Sequence, residues 1–195
     1  AGAMVHNHMR VTALAPLAKG WQVSLLDERS GQSLQVQAAC VVNATGVWVD
    51  GLRQMALKSQ TSATAFKPLV TPSQGVHLVV KRELLPIREA VLIPHTDDGR
   101  VLFAVPWLGK VLLGTTDTAR PDAPLEPRPA RQEVDLILQE AGRYLRKPPT
   151  RQDVLSAWAG LRPLVKEQEN QKTTSDRATK SVSREHHVEV SASGL

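Results

Sequence analysis

Two side chains in this sequence, His77 and Arg162, are placed where they could do chemistry on an anionic substrate. Histidine titrates near neutrality, so a neutral imidazole can accept a proton in the physiological range. Arginine carries a planar fork that matches carboxylate or phosphate. His77 lies in the apolar run Val76-His77-Leu78-Val79-Val80, on the face opposite Val76 and Leu78. Arg162 closes an apolar run just before Pro163, and Arg184 shares a face with His186 in the segment 182–190. Each has a plainer alternative: a histidine satisfied within a sheet, an arginine extended into solvent. Gly114-Thr115-Thr116-Asp117 ends an apolar strand in small polar residues, which suits the rim of a ligand site. Cys40 to Gly46 reads as a buried strand stopping at a glycine turn before a helix, an arrangement that brings backbone amides to a phosphate or cofactor.

The elements that must position these groups follow from periodicity. Residues 97–118 read as a β-hairpin. Asp98-Gly99 is its first turn, Val101–Val105 one strand, Pro106–Lys110 the second turn and Val111–Leu113 the return strand. Both strands are nearly continuous in apolar residues, which predicts burial on both faces. Upstream, 9–14, 21–26 and 33–38 predict a β-meander, with Leu34, Val36 and Ala38 alternating onto one face. A helix is expected over 47–58, with a polar linker at 59–65. Segment 66–70 is extended, Ser73-Gln74-Gly75 is a turn into the strand 76–80, and 90–94 is a short strand. Four prolines make 120–130 a surface crossover. The helix 131–145 carries one apolar stripe of Val134, Ile137, Leu138, Ala141 and Leu145, with its charged face in solvent. Thr150-Arg151-Gln152-Asp153 resembles a capping box, and a strand is expected over 155–162. Residues 166–181 hold no large apolar side chain and predict a mobile loop before a last strand at 182–190.

Composition narrows the class. The chain has 195 residues, 42% of them hydrophobic, enough for one domain or two small ones with a real core. No apolar run approaches the roughly 20 residues that span a bilayer, and no signal peptide is expected at the start. The single cysteine, Cys40, excludes an intramolecular disulfide and fits a reducing compartment; its apolar neighbours predict a buried, inert thiol. A net charge of +5 favours phosphorylated metabolites, nucleic acid or an anionic membrane surface. The basic residues are scattered and aromatics are only 4%, which argues against a stacking platform for single strands. The six histidines form no zinc pattern, so no metal is expected. No two of the 12 glycines lie two apart, so the G-x-G-x-x-G fingerprint is absent.

Taken together, VVNATGVWVD (41–50), SQGVHLVV (73–80), GRVLFAVPW (99–107), GTTD (114–117), WAGLRPL (158–164) and SREH (183–186) resemble the FAD-dependent glycerol-3-phosphate dehydrogenases, within the amine and hydroxy-acid oxidase type of flavoproteins. The resemblance covers most of the chain from Val41 to Val190. It implies an α+β protein. The middle part of an FAD-binding α/β domain with its β-meander would occupy 1–58, and a mostly antiparallel substrate domain with helices on one face would occupy 65–190. The unit with the glycine fingerprint would precede Ala1, and this chain alone is expected neither to retain FAD nor to be active. The resemblance implies His77 and Arg162 as catalytic groups, Arg162 and Arg184 as ligands of a phosphate substrate, and Ala44, Thr45, Gly46 and Trp48 against the cofactor. It implies a quinone acceptor and a cytoplasmic enzyme peripheral to a membrane, not a nucleic-acid partner. An open apolar edge on the strands of 1–58 favours self-association as a homo-oligomer. Val47 stands where the family commonly has proline, and Gln74 where lysine is common, which predicts one positive charge fewer near the site. The loop 166–181 is long for the family. The rival readings are a related amino-acid or amine oxidase and a non-catalytic basic nucleic-acid-binding domain.

Overall fold

The computed structural model describes residues 2–59, 66–93, 96, 101–166 and 188–190. The chain divides into two compact units, one taking the residues up to Val70 and the other beginning at Thr71.

The first unit is the expected meander with a helix. Strands β1 (Met9–Pro16), β2 (Trp21–Asp27) and β3 (Ser33–Ala38) pair antiparallel in the order β1-β2-β3. Gly20 makes the first turn at φ +87°, where an added Cβ would lie 2.2 Å from the Ala38 carbonyl oxygen, so only glycine fits. Helix α1 (Val49–Lys58) is entered through a single 3₁₀ turn, Gly46–Trp48. Its Ala56 packs with Leu14 and Trp21 in a small core edged by Val11, Val23 and Val41. Asp50 in the first turn of α1 accepts hydrogen bonds from the amides of Leu69 and Val70 and from Arg53, pinning the chain as it leaves this unit.

Two expectations for this unit are corrected. Residues 40–46 are not a strand, Cys40 is exposed, and Val42 is 84% exposed. A strand exists only where a neighbour completes its ladder, and among the described residues none pairs with this segment. Leu34 and Val36 alternate as expected, yet each is 47% exposed, so the alternation marks a face without covering it.

The second unit is a six-stranded, largely antiparallel sheet with one helix against it. Its strands are β4 (Val70–Lys81), β5 (Val91–Ile93), β6 (Leu102–Trp107), β7 (Lys110–Gly114), β8 (Thr118–Ala119) and β9 (Val154–Val165). The order is β5-β6-β7-β4, and both β8 and β9 also pair with β4. Helix α2 (Arg131–Gly142) lays Ile137, Leu138 and Ala141 on Val76, Leu78, Val80, Leu102, Ala104, Val111 and Leu113. These strand residues are spaced by two, so they share one face of the sheet.

The opposite face is where the hairpin expectation fails. Phe103 is 44% exposed, and Val105 and Leu112 are half-buried, so the strands are buried on one face only. The turn is also tighter than expected. Leu108 and Gly109, both at positive φ, form it alone, while Pro106 and Trp107 pair with Val111 and Lys110. Two positive-φ residues match the primed turns whose twist fits a two-residue hairpin. Ser73-Gln74-Gly75 is continuous strand within β4, not a turn.

Helix α2 ends at Gly142, short of Leu145, because the amides of Tyr144 and Leu145 bond three residues back, to Ala141 and Gly142. Nor is its charged face wholly solvated: Glu133 and Glu140 are buried. At Thr150 the expected cap opens a 3₁₀ turn (Arg151–Asp153), with the Asp153 carboxylate accepting from the Thr150 amide and hydroxyl. Residues 188–190 are not in a strand. The Asp98-Gly99 turn, the loop residues 167–181, Arg184 and His186 lie outside the described residues.

Candidate active site

The site is built on the open face of the second unit's sheet. Gly75 and His77 are two apart on β4 and therefore project to this face. His77 pairs across the ladder with Gly114, and Gly114 pairs on its other side with Phe103. A Cβ at Gly114 would lie 2.4 Å from His77 Cδ2, so the imidazole lies over the space a side chain would fill. The Trp158 ring on β9 stacks on it, centroids 5.5 Å apart and planes 13° apart. Four residues on, Arg162 folds its guanidinium over Gly75, where an added Cβ would meet Nη2 at 2.3 Å. The two glycines thus open adjacent slots, one for the imidazole and one for the guanidinium.

Thr115 and Thr116 hold the arginine. Its Nη2 donates to Thr115 Oγ1 at 2.9 Å and its Nη1 to the Thr116 carbonyl at 3.1 Å. Among the described residues the rest of the fork has no hydrogen-bond partner, which leaves donors for an anion. A ladder irregularity turns the Thr116 carbonyl outward. Between the pairs His77↔Gly114 and Gln74↔Thr118, β4 contributes Gly75 and Val76, while the facing segment contributes Thr115, Thr116 and Asp117. The extra residue breaks the alternation, as β-bulges do beside functional sites. Thr116 consequently presents its carbonyl to Arg162, while its hydroxyl accepts from the Val76 amide at 3.0 Å and donates to Glu133 at 2.9 Å. Asp117 also accepts from the Ser73 hydroxyl.

Burial first, and then the positive charge of Arg162, holds the His77 pKa below the ordinary 6.5. The imidazole is therefore neutral at neutral pH, with one ring nitrogen able to accept a proton. A neutral base beside a guanidinium can take a proton from a hydroxyl whose oxygen, or whose neighbouring anionic group, the arginine holds.

The sequence matches the DAO family, FAD dependent oxidoreductase, over residues 1–181. The chain belongs to the FAD dependent oxidoreductase family. Across its whole length it is 38% identical to the mitochondrial glycerol-3-phosphate dehydrogenase of Schizosaccharomyces pombe, and it spans 31% of that relative. It is 37% identical to the mitochondrial glycerol-3-phosphate dehydrogenase of Homo sapiens and spans 26% of it. Among solved structures it resembles the glycerol-3-phosphate dehydrogenase from Bacillus halodurans complexed with FAD, at a TM-score of 0.70 and 36% identity over 89% of this chain and 34% of the other. The FAD-bound L-alpha-glycerophosphate oxidase from Mycoplasma pneumoniae shares the fold, at a TM-score of 0.60 and 20% identity. The chain thus spans about a third or less of the curated relatives named here.

An FAD dependent family makes the cofactor-facing residues a question of fit. Gly46 sits at φ +60° with open space where a Cβ would be. Trp48 is 44% exposed, and Ala44 is exposed beside it in the chain. Thr45 is turned toward its own loop: its hydroxyl donates to Asn43 Oδ1 at 2.8 Å, and Asn43 Nδ2 donates to the Val49 carbonyl at 2.9 Å. A bare backbone and an exposed indole fit a wall beside a flavin, and the chain has no G-x-G-x-x-G with which to cradle its pyrophosphate.

Of the candidates read from sequence, His77 and Arg162 share one face, Ala44 to Trp48 lie in the other unit, and Arg184 is outside the described residues. The segment 114–117, read as the rim of a ligand site, does lie at this face, through Gly114, Thr115 and Thr116; Trp158 and Gly75 were not singled out, although Trp158 and Arg162 are spaced by four, an even number, on one strand. Gln74 is corrected as well. It is three residues from His77, faces the helix side, and is 1% exposed. Its amide bonds the Arg128 carbonyl, Glu133 and Arg120, so a substitution there does not change the charge on the His77 face.

Proposed function

We propose that the enzyme containing this chain oxidises sn-glycerol 3-phosphate to dihydroxyacetone phosphate. The observation that carries this reading is the pairing of a neutral His77 with the Arg162 guanidinium on one open sheet face. In the reading, His77 accepts the C2 hydroxyl proton, and Arg162 pairs with the phosphate or stabilises the developing alkoxide. Arg184 is the second phosphate ligand. Trp158 keeps water from one side of the imidazole and so keeps it neutral. FAD, when bound, supplies the acceptor for the hydride leaving C2. Ala44, Thr45, Gly46 and Trp48 lie against it. Residues 1–58 belong to the flavin domain and 65–190 to the substrate domain. The names of the relatives support the substrate, since the Schizosaccharomyces pombe, Homo sapiens and Bacillus halodurans proteins are glycerol-3-phosphate dehydrogenases by name.

The reading extends to a quinone acceptor, a peripheral place on the cytoplasmic face of a membrane, and self-association. No helix among the described residues is long and apolar enough to cross a membrane. The Schizosaccharomyces pombe and Homo sapiens relatives are mitochondrial by name, so fractionation of the native host is the measurement for the compartment. The test of the activity is reduction of the bound flavin in the complete enzyme. Glycerol 3-phosphate should bleach the flavin band and glycine or sarcosine should not; the reverse outcome would replace this reading with the amine-oxidase one.

A further inference from the structure

Glu133, in the first turn of α2, is buried on the helix side of the sheet and does not touch the His77 face. Its two oxygens are fully engaged. Oε1 accepts from the hydroxyls of Thr116 and Thr118, each at 2.9 Å. Oε2 accepts from Gln74 Nε2 at 2.6 Å and from the Ala130 amide at 3.0 Å. Only the Ala130 contact is helix capping. The other three tie the helix start to β4, to Thr116 inside the bulged segment 115–117 and to Thr118 just past it. That segment is also what grips Arg162 from the other side, through the Thr116 carbonyl and through Thr115 Oγ1, which itself donates to the Thr116 carbonyl at 3.1 Å. A continuous chain of hydrogen bonds therefore runs from α2, through Thr116, to the guanidinium.

We propose that Glu133 is a positioning residue for the reaction: by clamping Thr116 and Thr118 it fixes the bulge that holds Arg162 beside His77. The bulge is the weak point of this face. Its extra residue has no place in the ladder, so backbone pairing alone does not set where the Thr116 carbonyl points. A side chain that accepts from the Thr116 hydroxyl supplies the missing constraint, and only an acceptor at all four contacts can do it. A glutamine would present an amide N–H₂ to two of the four donors. On one side it would confront the Ala130 amide. On the other it would force the Thr116 hydroxyl, already an acceptor for Val76, to reverse. Either way the clamp loosens while the shape is kept.

The inference rests on Arg162 acting in the site as proposed above. The experiment is a double-mutant cycle on kcat/KM for glycerol 3-phosphate in the complete, FAD-loaded enzyme. Glu133→Gln is made in the wild type and in an Arg162→Ala background, with thermal unfolding of each variant recorded. The expected result is a loss of about 10-fold or more in the wild type and within about twofold of no loss in the Arg162→Ala background. A purely structural glutamate would cost the same factor in both backgrounds, and that outcome, or no loss in either, overturns the proposal. Unchanged turnover in Arg162→Ala alone would remove the arginine from the site and the proposal with it, whereas a large Arg162→Ala loss with additive Glu133→Gln sinks the proposal only. Should Glu133→Gln fail to fold, Thr118→Val removes one exposed donor to the same oxygen. It is read by the same criterion: a several-fold loss that disappears without Arg162.

Discussion

At the scale of single residues the site depends on space as much as on charge. His77 and Arg162 occupy the room that Gly114 and Gly75 leave. Gly114→Ala should therefore displace the imidazole without disturbing the core face. The expected outcome is a folded enzyme with unchanged cofactor content and a kcat/KM reduced by about 10²-fold, the scale on which a misplaced reacting group is felt. Wild-type turnover in that variant would separate His77 from the chemistry. The pH profile makes a second prediction. The His77 pKa is lowered by burial and then by Arg162, so activity should be lost with falling pH only below 6.5, as the imidazole becomes protonated. Arg162→Gln removes the charge and keeps most of the burial. The acid limb of its residual activity should move to higher pH, toward 6.5; a limb that stays in place would mean that another group titrates. The sequence made His77 and Arg162 visible because each interrupts an apolar run. Gly114 was visible only as part of a small polar strand end and Gly75 not at all, since a glycine's use lies in a neighbour's side chain arriving from another strand. Glu133 looked solvated for a related reason: helical spacing tells which residues face the core, not that a bulge beneath the helix needs an acceptor.

At the scale of elements, most of the strands and both helices were legible, because periods of two and of about 3.6 residues survive whatever packs on them. The errors follow one rule. Residues 40–46 have the composition of a buried strand, but among the described residues no strand pairs with them. The hairpin strands were read as buried twice over, since Phe103, Val105 and Leu112 belong to a face whose covering was not in the pattern. The element that holds the end of the first unit is α1, through Asp50. Burial raises the Asp50 pKa, but the amides of Leu69 and Val70 and the Arg53 guanidinium outweigh it and hold the carboxyl below 3.8. A folded pKa below the unfolded one means that the contribution is complete above the ordinary aspartate range and is lost as pH falls through the folded value. Asp50→Asn should destabilise the first unit by about 1–3 kcal/mol at neutral pH. Urea unfolding at pH 7 and again near pH 3 checks it: the gap between wild type and variant should narrow in acid. A gap independent of pH would assign the loss to packing. On the other unit, Ile137→Ala empties the contact between α2 and the sheet and should cost about 2–5 kcal/mol, read as a lowered unfolding midpoint.

At the scale of the whole molecule, the family relation and the chain's own residues make a joint statement about the cofactor. The family is FAD dependent, and this chain spans 31% of a relative to which it is 38% identical. A dinucleotide is held chiefly at its pyrophosphate, by amides at a helix N-terminus and a glycine turn that lets the backbone approach. No two glycines of this chain have the required spacing. Of the residues proposed to face the flavin, Gly46 has an open backbone and Trp48 is exposed. Such surfaces orient a ring system but leave a large, charged ligand with few of the polar contacts that would hold it. This chain alone, mixed with FAD and freed of excess cofactor, should therefore show no stoichiometric absorbance in the oxidised-flavin band near roughly 450 nm. The second unit should still fold, since its sheet and α2 share one core within the chain. A cooperative unfolding transition without bound flavin is the expected pair of observations. Retained stoichiometric flavin would show instead that contacts away from the pyrophosphate suffice.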